Sequence, residues 1–509
     1  MKRREFIASA SSMMLPLTVS GMGIKTLSQT SSMVRSVLKT NAAQTDRVLV
    51  IIYLNGGNDG LNTVIPLDQY SKYYSLRSNI AIPESSVLKL NGNLETGFHP
   101  AMTGMQNLYN EGKLAIAHSV SYPNPNQSHV RSTDIWMTGV NSDVYSSSGW
   151  AGRYLESRFA NYPMNYPNPQ MPDPLAIQIG YMDTTTLKGN QQTTNISFED
   201  PSKFYQMMGA LGTVNSDDMP CCDAGDLISF IKQQQISSIG YSSRIKAAAD
   251  AGRNLATYPT TTSVNDLSEQ LKIVARLIHG GLKSKLYFVE MGGFDTHATQ
   301  IGSTPTEGVH ANLLKKLSEG ISAFQKDLNL QGIEDKVIGM TFSDFGRRAN
   351  SNISKGTDHG IAAPMFIFGT GIKRQLVGTN PDLVNDMIPL TMNPSNKNQD
   401  IKMQIDFRRI YSDMLNDWFG TNKSTTESLL FGAHRTTSLF SNTIESLGSG
   451  AWPDRNLWSS NRMPGPGDYV KINSGHIVSL GENITVRNIH VEGNGELKLL
   501  PNVKVNTTG

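Results

Sequence analysis

Five short motifs that carry acids or histidines lie directly beside runs of apolar residues. They are LNGGNDGLN, QSHVRSTDIW, GGFDTH, SDFGRR and GTDHG. The side chains in them that could do chemistry are Asp59, Ser128, His129, Asp295, His297, Asp344, Arg347, Arg348, Asp358 and His359. Aspartate beside glycine is common in turns, and that reading explains any single motif. It explains the set poorly, because turns have no need of histidine, so the motifs indicate a shared site.

Carboxylates and imidazoles that converge from separate motifs are typical ligands of a divalent metal ion. The expected ligands are Asp59, Asp295, His297, Asp344, Asp358 and His359, with His129 as a further ligand. For Asp59 the alternative is a simple turn cap. The set predicts one or two ions, zinc first, with calcium, magnesium or manganese as alternatives. Two ions a few ångströms apart would clamp the attacking and leaving oxygens of a phosphate or sulfate ester.

The same motifs offer a nucleophile and an anion-binding group. Ser128 stands at a predicted helix start, where the helix dipole and a metal would lower the pKa of its hydroxyl and make it a nucleophile. Serine is also a favoured helix N-cap, and that role alone would account for Ser128, in which case His129 beside it is the ligand. Arg347 or Arg348 could hold the transferred anion through a bidentate contact. The alternative for both arginines is a solvated surface position or a salt bridge.

These residues need a scaffold that brings distant loops together. Short apolar runs predict strands at 48–54, 114–120, 174–180, 285–291, 336–342 and 365–371. Helices are predicted around 100–111, 227–255, 267–279, 309–328 and 406–420. This alternation predicts an α/β three-layer sandwich with a mostly parallel sheet. Ligands of such sheets bind beyond the carboxyl ends of the strands, which is where most of the motifs lie.

The C-terminal stretch breaks this alternation. From residue 468 onward the sequence shows short strands of period two, punctuated by Gly and Asn, which is typical of a small β-solenoid or β-sandwich. We therefore expect a signal peptide and linker at 1–45, an α/β domain at 46–445, a linker at 446–467 and a β-rich segment at 468–509. The β-rich segment is expected to attach the protein to a cell surface.

The N-terminus predicts export. Lys2, Arg3 and Arg4 precede Phe6 and Ile7, an arrangement that resembles a twin-arginine signal, which exports folded proteins. The alternative is an ordinary secretory signal, since a basic stretch before an apolar one would serve. Either signal predicts a periplasmic, secreted or cell-surface protein. No later run approaches the ~18 apolar residues of a spanning helix, so no integral membrane span is predicted.

Composition narrows the function classes. Lys and Arg number 45 and Asp and Glu 43, a net charge of +2, which does not indicate a nucleic-acid partner. The two cysteines, Cys221 and Cys222, are adjacent, so they predict neither a disulfide framework nor a metal site.

Taken together, the five motifs behind such an N-terminus resemble the bacterial family known as domain of unknown function 1501. The resemblance covers about Arg47 to Phe440. That family is similar to the alkaline phosphatase and sulfatase superfamily, which implies an alkaline phosphatase-like fold and a small anionic ester or polysaccharide-linked substrate. By this resemblance Asp59 matches the aspartate after the first strand and Ser128 the nucleophile. Asp295 with His297, and Asp358 with His359, match the two metal-binding pairs.

The chain also departs from the superfamily. Its first metal pair is usually spaced Asp-x-x-x-His, whereas Asp295 and His297 are two apart. Its sulfatases carry Cys/Ser-x-Pro-x-Arg, which is not the motif around Ser128, so formylglycine chemistry is not expected. Two functions follow from the sequence: a metal-dependent hydrolase of phosphate or sulfate esters, or a non-catalytic scaffold or binding protein that keeps the fold.

Overall fold

The computed structural model describes residues 46–507 with internal gaps, together with Thr18–Val19 and Met22–Gly23, which pair as short antiparallel strands. The gaps are 160–161, 164–165, 170, 181–183, 191–194, 211–222, 261–265, 374, 390–398, 441–442, 460–462, 466–467 and 487. The chain divides into two units, Met1–Arg47 and Val48–Gly509. Cys221, Cys222 and the twin-arginine motif lie outside the described residues.

A nine-stranded sheet forms the centre of the second unit. Its strands are β1 (Val48–Leu54), β2 (Leu114–Ser121), β3 (Ala176–Ile179), β4 (Asn195–Phe198), β5 (Leu286–Met291), β6 (Val337–Ser343), β7 (Ala363–Phe368), β8 (Leu376–Val377) and β9 (Ile405–Asp406). Their order is β8-β2-β7-β6-β1-β5-β3-β4, and β9 pairs with β2. Every residue of β1 and β6 is buried, which explains why these strands are continuous apolar runs.

The sheet is parallel except at β7, which runs antiparallel to both β6 and β2. This reversal decides where the GTDHG motif lies. Asp358 and His359 precede β7, whereas the other strand-borne motifs follow parallel strands. Because β7 runs the opposite way, the residues before it lie at the rim where the parallel strands end.

Eleven α-helices are described, with an additional π-helical stretch, Asp413–Trp418, directly after the tenth. They are α1 (Gly60–Thr63), α2 (Tyr70–Arg77), α3 (Thr103–Asn110), α4 (His129–Thr138), α5 (Trp150–Arg158), α6 (Pro201–Ala210), α7 (Asp223–Ala251), α8 (Leu267–His279), α9 (Val309–Leu330), α10 (Phe407–Ser412) and α11 (Lys423–Leu429). Among the described helices, none combines the length and the apolar character needed to cross a bilayer.

Helices cover both faces of the sheet because successive side chains of a strand point to opposite sides. Val50 and Ile52 of β1 belong to one buried apolar cluster, to which α8 and α9 also contribute. Leu49 and Ile51 belong to another, to which α4, α5 and α10 contribute. The predicted α/β sandwich with a mostly parallel sheet is confirmed.

The remaining strands lie outside the central sheet. Val64–Pro66, Leu88–Leu90 and Asn93–Phe98 form a small antiparallel sheet, and Met387–Pro389 pairs with Gln399–Ile401. The C-terminal strands are Thr443–Glu445, Gly450–Ala451, Tyr469–Ile472, Ile477–Leu480, Ile484–Val486, Asn488–Val491, Glu496–Leu499 and Val505–Thr507.

The C-terminal strands pair only in parallel, in three stacks, which is the arrangement of a β-solenoid. The structure starts this segment earlier than the sequence predicts, since Thr443–Glu445 and Gly450–Ala451 already pair with it. Trp452 and Trp458 are fully buried in its core. The residues around these tryptophans are polar and rich in glycine, as in a linker. The burial of the two tryptophans shows that this part of the chain belongs to the stack.

Candidate metal centre

Three loops and the start of one helix meet at the carboxyl rim of the sheet. The loop after β5 carries Asp295 and His297, the loop after β6 begins with Asp344, and His359 lies ahead of β7. Helix α4 begins at His129 and supplies the fourth side. Since β1, β5 and β6 are parallel neighbours, their ends lie side by side.

Three side chains at this rim form a compact donor cluster: His129, Asp295 and His359. One ligand atom from each lies within 4.8 Å of the other two. The Oδ1 atom of Asp295 is 3.5 Å from Nε2 of His129 and 3.5 Å from Nε2 of His359. Two imidazole nitrogens and a carboxylate oxygen are a donor set that zinc accepts in catalytic sites.

The neighbours of the two imidazoles fix which nitrogen faces the cluster. Nδ1 of His129 donates to Oδ2 of the buried Asp344, 2.5 Å away, and Nδ1 of His359 donates to the backbone carbonyl of Gln127 at 2.9 Å. A neutral imidazole that donates through Nδ1 keeps a lone pair on Nε2. Metal-binding histidines are typically held in this way by a carboxylate or a carbonyl.

Nε2 of His129 is the most direct sign of a ligand. This atom is buried and makes no hydrogen bond with any described residue. A buried nitrogen without a hydrogen bond is costly, and a bound water, an ion or a catalytic role would account for it. The residues present therefore fit a divalent metal, with His129, Asp295 and His359 as the donors.

His297 borders the same cluster from a more exposed position. Its Nε2 lies 2.8 Å from Nε2 of His359 and 3.2 Å from Oδ1 of Asp295. Its Nδ1 faces Oδ1 of Asp358 at 3.4 Å. Asp358 also accepts from Asn352 and pairs with Arg348, so this carboxylate orients His297.

The charges around the cluster favour a metal-ready protonation state. Burial opposes ionisation of Asp295, but the hydrogen bond and the charge of Arg347 outweigh it and hold the pKa of this carboxyl below its usual value. Burial, with a further contribution from Arg347, lowers the pKa of His359 below its usual value. At neutral pH Asp295 is therefore ionised and His359 is neutral, as metal ligands must be.

The structure places Arg347 as a buried brace, whereas the sequence predicts an anion-binding side chain. The guanidinium is fully buried and donates to the carbonyls of Gly56, Gly57 and Thr357 and to Oδ1 of Asp295 at 2.5 Å. Its donors are thus committed to the protein. The partly exposed neighbour, Arg348, retains an Nη2 group that bonds no described residue.

The two glycines after β1 make this brace fit. Gly56 and Gly57 have positive φ angles of 121° and 80°. A Cβ at Gly56 would lie 2.4 Å from the backbone nitrogen of Asp295, and one at Gly57 would lie 2.7 Å from the ring of Phe345. Only glycine combines this backbone geometry with such close approach.

Asp59 lies apart from the donor cluster, in a buried ion pair. Both carboxylate oxygens accept from Nη1 of Arg77, at 2.7 and 2.8 Å, and Oδ2 also accepts from Gln300 at 2.7 Å. Asp59 and Arg77 are fully buried. Burial disfavours the charge of Asp59, yet Arg77 and His310 overcome this and lower the pKa of Asp59. The structure therefore does not bring Asp59 into the donor cluster, and its contacts are those of a buried structural anion.

Ser128 is exposed at the N-cap of α4, directly before His129. Its side chain makes no capping hydrogen bond with the helix. The structure thus leaves the hydroxyl uncommitted, which removes the capping explanation for a serine at this position.

Sequence reasoning missed the residues that act through backbone or distant contacts. Gln127 contributes a carbonyl, for which no sequence signal exists, and Arg77 and Gln300 bind Asp59 from distant segments. Phe345, in the SDFGRR motif, packs against the rings of His129 and His359 with centroid distances of 4.8 and 4.6 Å. The sequence feature that could have identified Phe345 is its position directly after Asp344.

Residues 240–430 match the family model described as "Protein of unknown function (DUF1501)". The predicted resemblance to this family is thereby confirmed over these residues. No curated protein matches this chain.

Several solved structures are similar. A protein in the alkaline phosphatase superfamily from Vibrio parahaemolyticus is 11% identical over 66% of this chain and 63% of its own, with a TM-score of 0.32. The PsFucS1 sulfatase from Pseudoalteromonas sp. is 10% identical over 79% of this chain and 76% of its own, with a TM-score of 0.32. The alkaline phosphatase from the Antarctic bacterium TAB5 is 9% identical over 64% and 92%, with a TM-score of 0.24. These likenesses are too weak to assign a reaction to this chain.

Proposed function

We propose that this protein is an exported, metal-dependent hydrolase of phosphate or sulfate esters. The observation that carries the proposal is the buried Nε2 of His129, which makes no hydrogen bond with any described residue and faces Asp295 and His359 across the donor cluster. Such an arrangement has no evident structural use, because it leaves a polar atom unsatisfied.

His129, Asp295 and His359 would hold the metal, with His297 as the nearest further donor. Zinc suits a set of imidazoles and one carboxylate best, and calcium is disfavoured because it prefers oxygen ligands. A bound divalent ion supplies Lewis-acid stabilisation for the charge that develops on the ester oxygens. Asp344 and Gln127 orient the two imidazoles, and Arg347 keeps Asp295 ionised.

The anion of the ester has two candidate partners in the chain. Arg348 has an uncommitted Nη2 group beside His359. The N-terminus of α4 presents the positive end of a helix dipole next to the cluster. Both would stabilise a phosphate or sulfate group that lies against the donors.

Ser128 is the proposed nucleophile. Its oxygen would form a bond to phosphorus while the bond from phosphorus to the alcohol oxygen breaks, and the alcohol would leave with the proton of the serine hydroxyl. Water would then attack the phosphoserine and release hydrogen phosphate, which restores the hydroxyl. The net reaction is an ester plus water giving an alcohol plus hydrogen phosphate, and the sulfate case is analogous.

The non-catalytic alternative also has an observation in its favour. The pairing of Asp59 with Arg77 leaves fewer oxygen donors at the rim than the sequence predicts. A protein that binds one metal without turnover would be a scaffold or binding protein. In both cases we propose export through the twin-arginine pathway and attachment to the cell surface through the C-terminal β segment.

Elemental analysis of the purified protein, combined with a panel of chromogenic phosphate and sulfate esters, tests the proposal. We expect one or two equivalents of a divalent metal, predominantly zinc, and turnover of at least one ester class that a chelator abolishes. Bound metal without turnover of any ester would favour the scaffold. A metal-free protein that hydrolyses none of them would refute the hydrolase.

A further inference from the structure

A cleft of about 440 Å³ opens beside the donor cluster, with His129 as a shared wall. Its walls come from α4 and from the ends of β1, β3 and β5. The residues that matter for its chemistry are Tyr53, Val130, Thr133, Met137, Phe288 and Glu290. Its volume lies within the range of about 300–1,000 Å³ that is typical of small-molecule sites.

Most polar groups of this cleft are bonded to one another. The hydroxyl of Tyr53 bonds that of Thr133 at 2.8 Å, and Nδ2 of Asn55 donates to Oε1 of Glu290 at 2.8 Å. Oε1 of Gln178 accepts from the backbone of Thr184 at 2.7 Å. A bound molecule would therefore meet mainly the apolar surfaces of Val130, Met137 and the aromatic rings.

The carboxylate side chains in the cleft walls have no Lys or Arg among the other described lining residues. The acids in its walls are Asp134 and Glu290, and none of the described residues that line it is Lys or Arg. Asp134 pairs with Arg131. The Glu290 carboxylate instead accepts a hydrogen bond from the uncharged side chain of Asn55. A second anion in the alcohol part of a ligand would thus lie near the carboxylate of Glu290, with no Lys or Arg among the described residues of the cleft walls to compensate it.

We infer that this cleft receives the alcohol part of the ester, and that this alcohol is uncharged and partly apolar. The inference rests on the proposed function, since it assigns the group that remains bonded to the transferred phosphate or sulfate. Esters whose alcohol carries a further anion, such as polysulfated sugars or diphosphates, would be discriminated against.

Two esters of the same shape test the charge preference: 3-carbamoylphenyl phosphate and 3-carboxyphenyl phosphate, with the corresponding sulfates. We expect kcat/KM to be about tenfold higher for the carbamoyl ester, the order expected for one like charge in a partly screened site. Glu290→Lys should bring the ratio of the two kcat/KM values to about one or below. Equal kcat/KM values in the unaltered protein, or an unchanged ratio in Glu290→Lys, would overturn the inference.

A substitution that narrows the cleft tests whether the alcohol part of the ester binds there. Val130 is 83% exposed in the cleft wall, so Val130→Trp should narrow the cleft without disturbing the core. We expect KM for the aryl ester to rise about tenfold or more. Leu94→Trp is the matched control, because Leu94 is 87% exposed and does not line the cleft.

Measuring the binding of the free phenols distinguishes failure of the inference about the cleft from failure of the proposed function. If no ester is hydrolysed, the hydrolase proposal fails, and NMR titration with 3-hydroxybenzamide and 3-hydroxybenzoate still tests the cleft. The inference about the cleft would be supported if 3-hydroxybenzamide binds more tightly than 3-hydroxybenzoate, and if Val130→Trp weakens this binding while Leu94→Trp does not. Equal binding of the two phenols, no binding, or indifference to Val130→Trp would refute it.

Discussion

Nδ1 of His129 lies 2.5 Å from Oδ2 of Asp344, a carboxylate that is fully buried. The two residues are far apart in the chain, one at the start of α4 and the other directly after β6. Their contact turns the Nε2 lone pair of His129 toward Asp295 and His359, so a carboxylate outside the donor cluster sets the geometry inside it.

The first prediction concerns this contact. The charge of Asp344 orients the imidazole of His129 and raises the basicity of this imidazole. Asp344→Asn keeps the shape of the side chain but removes this charge. We expect zinc affinity to fall about 10- to 100-fold with little change in the fold. Competition titration with a zinc chelator measures this affinity. Asp335→Asn, at an exposed position, is the control, and an unchanged affinity in Asp344→Asn would argue against the orienting role.

The second prediction separates the nucleophile from the ligands. In Ser128→Ala we expect the metal content to stay constant and turnover to fall about a thousandfold or more, because only the attacking oxygen is lost. In His129→Ala the metal content itself should fall. Metal content and ester turnover, measured on the same preparations, distinguish the two. Full activity in Ser128→Ala would assign the attack to a water molecule.

The third prediction concerns the buried ion pair. Asp59→Asn leaves the charge of Arg77 buried without a counter-charge, which typically costs about 3–5 kcal/mol of the free energy of unfolding. Urea denaturation at pH 7 measures this loss. A variant that unfolds as the unaltered protein does, but loses its metal, would show that Asp59 is a ligand after all.

The same pair predicts a pH dependence with a definite sign. The pKa of Asp59 is lower in the folded state than its ordinary value of 3.8. Its contribution to stability is therefore complete above that value and is lost as the pH falls through the folded-state pKa. Below pH 4 the free energy of unfolding should therefore fall less steeply with decreasing pH in Asp59→Asn than in the unaltered protein. Denaturation curves recorded at several pH values measure this free energy.

The fourth prediction concerns export. Replacing Arg3 and Arg4 by Lys should leave the folded precursor in the cytoplasm, because the twin-arginine pathway reads this pair. Fractionation of cells followed by immunoblotting measures the distribution. Normal export of the double variant would indicate a general secretory signal, for which lysine serves equally well.

Local sequence patterns were sufficient for the scaffold and for much of the rim. The apolar runs that became β1, β5 and β6 are too short and too continuous for surface helices, and parallel neighbours must end at one rim. Asp295, His297 and Asp344 follow these strands directly, so chain direction alone brings them together. The rule that parallel strands end at one rim does not predict the position of Asp358 and His359, because these residues precede a strand. They reach the same rim because β7 runs antiparallel to its neighbours.

The sequence thus determined which loops meet, and the tertiary structure decided which atoms in them are free. Asp59 has the context of a ligand, but a guanidinium from α2 occupies both of its oxygens. Arg347 has the context of an anion binder, but the carbonyls of Gly56 and Gly57 take its donors. His129 turns its Nε2 toward the donor cluster because Asp344 holds its other nitrogen. Each of these outcomes depends on a hydrogen-bond partner from a distant segment, and no local pattern records such a partner, because pairing is set by the packing of the whole fold.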